Sequence, residues 1–268
     1  MLILYFIDGK SFYLYNFQTI TFFTSSLFPN LFFFFILSNL FSTSVFFKFF
    51  CQIFYFPLSF LLKSNSKEVH ELFLLSILCG SPLYVSFIRK SKLSFTDQNH
   101  LILSFSFVSL GFIFSLVAQK YSSKLSFIIF LSILITHIMY FRFKKINYTT
   151  FEQTKKISFI QNLKRSINQS FNASITILGI MMFCNIIIFY LTSLINIPYL
   201  KGLIDVTSIL NTSYNDTYIA FSISFLGLSM LLQINDSAHE IPLFKLITFK
   251  LAISLITTLL FIFLNYLI

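Results

Sequence analysis

The sequence predicts an all-α integral membrane protein, and three observations carry that reading. Charged residues make up only 10% of the 268 residues, against about 25% in a soluble domain. Hydrophobic residues make up 56%, and the mean hydropathy is +0.83. Apolar stretches of membrane-crossing length recur from one end of the chain to the other. Helices are the spanning form implied, because roughly 20 apolar helical residues cross the hydrocarbon with every backbone group satisfied internally.

The elements follow in order. Residues 1–24 read as an N-terminal interfacial segment in which Asp8 and Lys10 interrupt the first apolar run, a pattern unlike a signal peptide. A first span runs from about Leu27 to Phe47. Phe49 to Leu62 is shorter and broken by Pro57, which suits an interfacial or half-crossing helix. Leu72 to Ile88 carries Gly80-Ser81-Pro82 near its middle. Gly frees the backbone and Pro removes a donor, so the stretch is either an interrupted segment or a Pro-kinked span. Leu101 to Ala118 and Leu125 to Phe141 are two further spans. Residues 142–166 form a basic linker, with Arg142, Lys144, Lys145, Lys164 and Arg165 among its cations. The positive-inside rule turns it to the cytoplasm. The second half holds a span from Ala173 to Ile195, a short apolar stretch from Tyr199 to Leu210, a segment from Tyr218 to Ile234 broken around Gly227, and a final span from Ile241 to Ile268.

The two halves share this plan, which predicts two internal repeats, residues 25–141 and 167–268, built of transmembrane helices and re-entrant or broken helical hairpins. Paired Gly- or Pro-interrupted segments are the sequence pointer to a transporter's binding site. A broken segment frees N–H groups at a half-helix start, and such groups favour anions. The candidate substrate-binding residues are therefore Gly80, Ser81, Pro82, Gly227, Ser229 and Gln233, with Asp205, Asp236 and His239 as second choices. His137 lies within an apolar span, where an ionisable residue is either a satisfied buried group or a functional one. Lys245 and Lys250 sit deep in the last span and either snorkel or face the bundle interior.

Several local strings resemble the sporulation integral membrane proteins of the YlbJ type, also called stage V sporulation protein V, within the nucleoside-transporter gate-domain group. Ser26-Leu27-Phe28-Pro29 resembles that family's approach to its first span. Cys79-Gly80-Ser81-Pro82 is similar to its Ser-Gly-Tyr-Pro hairpin. Gly202 to Thr207 is similar to its Gly-Leu-Leu-Glu-Met-Thr stretch, and Gly227-Leu228-Ser229 with Gln233 to its Gly-Leu-Ser-Val-His-x-Gln motif. The chain departs from the pattern at Leu231, where the family has His, at Tyr84-Val85, where it has Gly-Ala, and at Leu110, where it has Pro. The resemblance implies a protein of the bacterial cell membrane, specifically the mother-cell-derived outer forespore membrane, moving dipicolinate toward the forespore.

The expected function is transport of a small, anionic solute, and the chain is not expected to be an enzyme. Neither His70-Glu71 nor His239-Glu240 continues to a second metal-ligand His, and no nucleophile elbow or phosphate loop occurs. No cofactor or metal is expected. Cys51, Cys79 and Cys184 are scattered and read as apolar fillers. The net charge of +10 sits in loops between apolar segments, so membrane lipid and a small anion are the expected partners, without nucleic acid; a homo-oligomer is compatible with the pattern. The alternative is a non-catalytic membrane subunit of a larger complex, such as the respiratory complex of an AT-rich organelle.

Overall fold

Phe-, Leu- and Ile-rich stretches leave the backbone little choice but to satisfy itself, and every regular element among the described residues is helical. The structure is a computed structural model that describes residues 9–42, 44–91, 93–142, 159–194, 199–210, 213–238 and 241–267. Helix α1 (Gly9–Phe22) passes through a π-helical stretch (Phe23–Leu27) into α2 (Phe28–Ser42), with a bend of 46° between their apolar runs. Two short helices follow, α3 (Val45–Ile53) and α4 (Tyr55–Leu62), then α5 (Lys67–Cys79), α6 (Leu83–Lys90) and α7 (Phe95–Ser104). A π-helical stretch (Phe112–Val117) and α8 (Ala118–Lys120) lead to α9 (Ser123–Arg142). The second half holds α10 (Phe159–Leu194), α11 (Leu200–Ile204), a 3-10 turn (Val206–Leu210), α12 (Asp216–Phe225), α13 (Gly227–Ala238) and α14 (Leu243–Leu267).

Four helical stretches are long and apolar enough to cross a membrane: 123–142, 160–191, 216–238 and 243–267; the bent pair of α1 and α2 makes a fifth if counted as one span. At 1.5 Å per residue α14 is about 38 Å long, enough for the roughly 30 Å hydrocarbon layer. Its outer face exposes Leu255, Leu259, Ile262 and Phe263, and α10 exposes Phe171, Ile175 and Phe183. Lipid is the environment that accepts such faces.

Local chemistry sets the ends. Ser44, Ser66, Ser94 and Asn215 each accept from the backbone N–H three residues on and start α3, α5, α7 and α12. Inside the spans, hydroxyls turn back on their own helix: Ser132 donates to Ile128 O at 2.7 Å, and Thr257 to Ile253 O at 2.9 Å. Such Ser and Thr residues are tolerated in apolar surroundings because their own helix supplies the partner.

Two expectations change. Pro57 does not break the 49–62 stretch; the break falls at Phe54, and Pro57 sits in the first turn of α4, where its missing N–H is not needed. The expected span from Leu101 to Ala118 is interrupted, because α7 stops at Ser104 and helix resumes only after Ser109. Of the basic linker, residues 143–158 lie outside the described residues. At its described end Arg165 approaches Lys90. Burial, and after it the Arg165 charge, hold the Lys90 ammonium below the ordinary lysine range.

Bundle packing centres on α14, which lies against α12 and α9, while α10 packs along α1 and α2 and also meets α13. Asn185 of α10 donates to Thr19 Oγ1 of α1 at 2.8 Å, a buried polar clasp between the two. Arg89 at the end of α6 donates to Asn99 Oδ1 at 2.7 Å, to Gln98 Oε1 at 3.2 Å and to the Ala238 carbonyl. That guanidinium ties the α6–α7 turn of the first half to the end of α13 in the second.

Candidate functional site at the helix interruptions

Helix α5 ends because Gly80 takes φ +64° and ψ −175°, a conformation open essentially to Gly alone. The Ser81–Pro82 peptide bond is cis. Ser81 then donates twice to one acceptor, its N–H to Phe107 O at 2.8 Å and its hydroxyl to the same oxygen at 2.9 Å. That oxygen belongs to the second interruption, residues 105–109. Phe105 N–H closes α7 on Leu101 O at 2.8 Å, and the Ser109 hydroxyl accepts from Phe112 N at 3.2 Å to start the next helical stretch. Gly80 faces Ser109 backbone to backbone: a Cβ there would overlap the Ser109 N and Cα and lie 2.7 Å from its Cβ.

A juxtaposition of two interruptions also occurs in the second half, with different residues and in the opposite chain order. Leu226 and Gly227 have φ of 75° and 71°, which separates α12 from α13. Gly227 lies against the interruption at Asp205, where an added Cβ would stand 2.7 Å from Val206 N. The buried Asp205 carboxylate accepts from Thr207 Oγ1 at 2.5 Å, Thr207 N at 3.3 Å and Ser229 Oγ at 2.9 Å. Asp205 therefore starts the 3-10 turn and also faces the first turn of α13, where the helix dipole favours negative charge.

Lys250 joins the two halves. It is fully buried on α14, and Nζ donates to Ser106 O of the first half at 2.7 Å and to Ser224 O of the second at 3.4 Å. Its third contact is His137 Nε2 on α9 at 3.3 Å. His137 is equally buried, and its Nδ1 lies 2.9 Å from Ile133 O. Of the alternatives for the deep lysines, Lys250 faces the bundle interior and Lys245 is exposed. Asp205 meets neither.

The residues nominated from sequence thus fall into groups. Gly80, Ser81 and Pro82 form the first interruption; Gly227, Ser229 and Asp205 form the second. Gln233, one turn beyond Ser229, is buried, and its Oε1 has no hydrogen-bond partner among the described residues. Asp236 is exposed on α13, away from this buried cluster. His239 lies outside the described residues. Sequence reading missed residues 105–109, whose run Ser104-Phe-Ser-Phe-Val-Ser109 holds neither Gly nor Pro. The alternation of Ser and Phe, unfavourable for helix, was the available signal.

The interruptions differ from expectation in one physical respect. At the first interruption, freed donors are paired within the chain: Ser81 N–H by Phe107 O, and Tyr84 N–H by Gly80 O at 3.2 Å. Two cavities lie to one side of the junction. One, of about 270 Å³, is lined by Pro29, Phe33, Phe34, Ser109, Phe112 and Leu116. The other, of about 380 Å³, is lined by Ser25, Ser26, Gln119, Lys120 and Leu210, and shares Leu116 with the first. The first reaches the 105–109 interruption through Ser109.

The Asp205 cluster supports a prediction. Asp205→Asn replaces a carboxylate that accepts three hydrogen bonds by an amide that donates toward one of the hydroxyls, and should cost about 1–3 kcal/mol. Thermal unfolding of the purified chain in detergent measures it; Asp236→Asn, at an exposed position, is expected to leave the midpoint unchanged.

The chain matches no protein-family model, no curated protein and no solved structure.

Proposed function

We propose that the chain is a membrane transporter for a small anionic solute, built as two repeats, with Lys250 supplying the positive charge that attracts it. The observation that carries this reading is a fully buried lysine whose three partners among the described residues are two carbonyls and an imidazole, with no carboxylate beside it, at the point where helix interruptions of both halves meet. A charge kept inside a membrane bundle costs several kcal/mol, and such residues mark solute and ion pathways. An anion is what would offset it. Each half holds a glycine interruption that lies backbone to backbone against a second interruption, with the glycine first in chain order in one half and second in the other, and a long span follows, α9 in one half and α14 in the other.

The Ser81 and Tyr84 donors freed at Gly80 are paired internally, and the start of α13 faces the Asp205 carboxylate. The arrangement is therefore a closed one, in which solute must displace contacts such as Ser81 to Phe107 before it is bound. The Asp205 charge favours the first interruption, not the second, as the side from which an anion reaches Lys250. No catalytic role is proposed. The resemblance to the sporulation family makes dipicolinate, a small dianion, the first solute to try, and the outer forespore membrane the setting.

Purified chain in liposomes should accumulate radiolabelled dipicolinate above protein-free liposomes. Lys245→Met, exposed on the same helix, should behave as the unaltered chain. No uptake of dipicolinate or of other small carboxylates would count against transport.

One observation favours a second reading, a non-catalytic subunit of a membrane complex: Lys250 is hydrogen-bonded between the two halves, and neither cavity is lined by Lys250, Gly80, Asp205 or Gly227. On that reading the chain extracted in mild detergent from its own membrane runs in a defined stoichiometric assembly, and the isolated chain moves no solute.

A further inference from the structure

Resting on the transporter reading, the Lys250–His137 pair also says what ion accompanies the solute. An ammonium has three N–H donors, whereas a neutral amine has two donors and a lone pair. Around Lys250 Nζ stand three acceptors: Ser106 O, Ser224 O and His137 Nε2. Carbonyls only accept. The tautomer of His137 follows from the same logic. Its Nδ1 lies 2.9 Å from the Ile133 carbonyl, so Nδ1 carries the ring proton and Nε2 presents its lone pair to the lysine. The three acceptors match the charged form of Lys250 and leave an acceptor unfilled in the neutral form.

The geometry points to a proton-coupling site: Lys250 takes up and releases one proton per transport cycle, with His137 as the relay. In the closed arrangement the ammonium ties the Ser106 turn, next to the residue that receives Ser81, to the Ser224 turn, two residues before Leu226. It acts as an internal cation clamped between the two interruptions. When the interruptions part, the two carbonyls leave Nζ and the imidazole remains its partner. The proton then moves along that hydrogen bond. The Nζ–H bond breaks with its electron pair kept on nitrogen, and the proton adds to the Nε2 lone pair. The product is a neutral amine beside an imidazolium that still donates through Nδ1 to Ile133 O. Water or a carboxylate of the departing solute takes the proton from there. Charge at the junction is then lost together with the anion it held.

Among the described residues, the surroundings leave His137 as the exchanging group. Of the elements packed against α14, α9 contributes His137 and Tyr140, the latter edge-on to Phe249 with ring centres 4.7 Å apart; its other charged residues, Lys124 and Arg142, are exposed at its ends. On α12, Asp216 is exposed, and the Tyr218 hydroxyl donates to Tyr199 O. The charged residue of α13, Asp236, is exposed. Residues 105–109 present the Ser106 carbonyl, and the nearby Tyr84 hydroxyl donates to Ile102 O at 2.7 Å. On α14 itself, Lys245 is exposed.

Two measurements test the proposal. In the first, the full chain carrying heavy-nitrogen label at lysine Nζ is studied by NMR in lipid nanodiscs, and the Lys250 resonance is assigned by its loss in Lys250→Met. It is expected to move between the ammonium and amine positions within the pH range over which the chain stays folded. A resonance held at the ammonium position throughout that range overturns the proposal, whatever the transport results. In the second, liposomes of phosphatidylcholine and phosphatidylglycerol enclose a pH-sensitive dye, with dipicolinate as the probe. The unaltered chain should acidify the lumen by about one proton per dipicolinate taken up. In Lys250→Arg the guanidinium keeps its proton, and the ratio should fall to zero at whatever rate of uptake remains. An undiminished ratio in Lys250→Arg also overturns the proposal. If the unaltered chain takes up no dipicolinate, the transport reading is what fails, and the Nζ titration still decides whether Lys250 exchanges its proton.

Discussion

Gly80→Ala is expected to cost the fold about 3 kcal/mol or more and to abolish uptake, while leaving the number of membrane-inserted helices unchanged. The cost has two independent sources. A residue with a Cβ held at φ +64° and ψ −175° loses about 1–3 kcal/mol to backbone strain. The new methyl would also overlap the Ser109 backbone, which cannot swing away as a side-chain tip could. Relief requires residues 105–109 to move, and these supply both the Phe107 oxygen that receives Ser81 and the Ser106 oxygen that receives Lys250. A single methyl group therefore disturbs the interruption, its partner and the buried cation together. Gly227→Ala should act in the same direction and more mildly. Its nearest clash is Val206 N at 2.7 Å, and the others lie at 3.3 Å. Insertion should survive in both variants, because it depends on the apolarity of the spans, which neither substitution lowers. Accessibility labelling of loop cysteines on either side of the membrane checks insertion, and uptake in liposomes checks function. Normal uptake by Gly80→Ala would mean that the Gly80–Ser109 approach has no part in moving solute.

What the sequence disclosed and what it hid follow the range over which each feature is determined. Spans are local: α9, α14 and the apolar body of α10 are visible because about 20 consecutive residues must be apolar with at most a few charges. The glycine interruptions were visible for the same reason, since the backbone freedom of Gly80 and Gly227 is a property of those residues alone. Residues 105–109 were not, because nothing within them forbids a helix outright. That interruption is held by distant groups, Ser81 on one side and Lys250 on the other, and long-range partners leave no local mark. Lys250 illustrates the same limit. Helix α14 is apolar nearly all round, so its sequence does not say which face meets the protein and which meets lipid. Lysine at positions 245 and 250 looked alike in sequence; five residues apart, they point to different surroundings, one exposed and one fully buried. His137 stood open between a satisfied buried group and a functional one for want of the partner that tertiary packing brings from α14.

Lys250→Met gives the sharpest separation between a lysine kept for function and one kept for the fold. Hydrogen bonds to a charged group are worth about 1.5–3 kcal/mol each, and Nζ makes contacts with three acceptors, one of them long at 3.4 Å. Against them stands the desolvation of a buried cation, itself several kcal/mol. The two terms are of the same size, and Met fills nearly the same volume as the lysine stem. The substitution should therefore change stability by no more than about 2 kcal/mol in either direction. Transport has no such compensation. If the ammonium is the charge that draws the anion, losing an electrostatic contact of about 3 kcal/mol lowers the uptake rate by about 100-fold. A structural lysine predicts the reverse pattern, a fall in unfolding midpoint with uptake reduced only as far as folded protein is lost. His137→Leu in the same background discriminates further. Among the described residues the imidazole lone pair faces Lys250 alone, so once Lys250 is methionine, removing it should restore part of any lost stability and none of the lost uptake. Unfolding midpoints of the two single variants and the double variant, read beside their uptake rates, decide between the two roles.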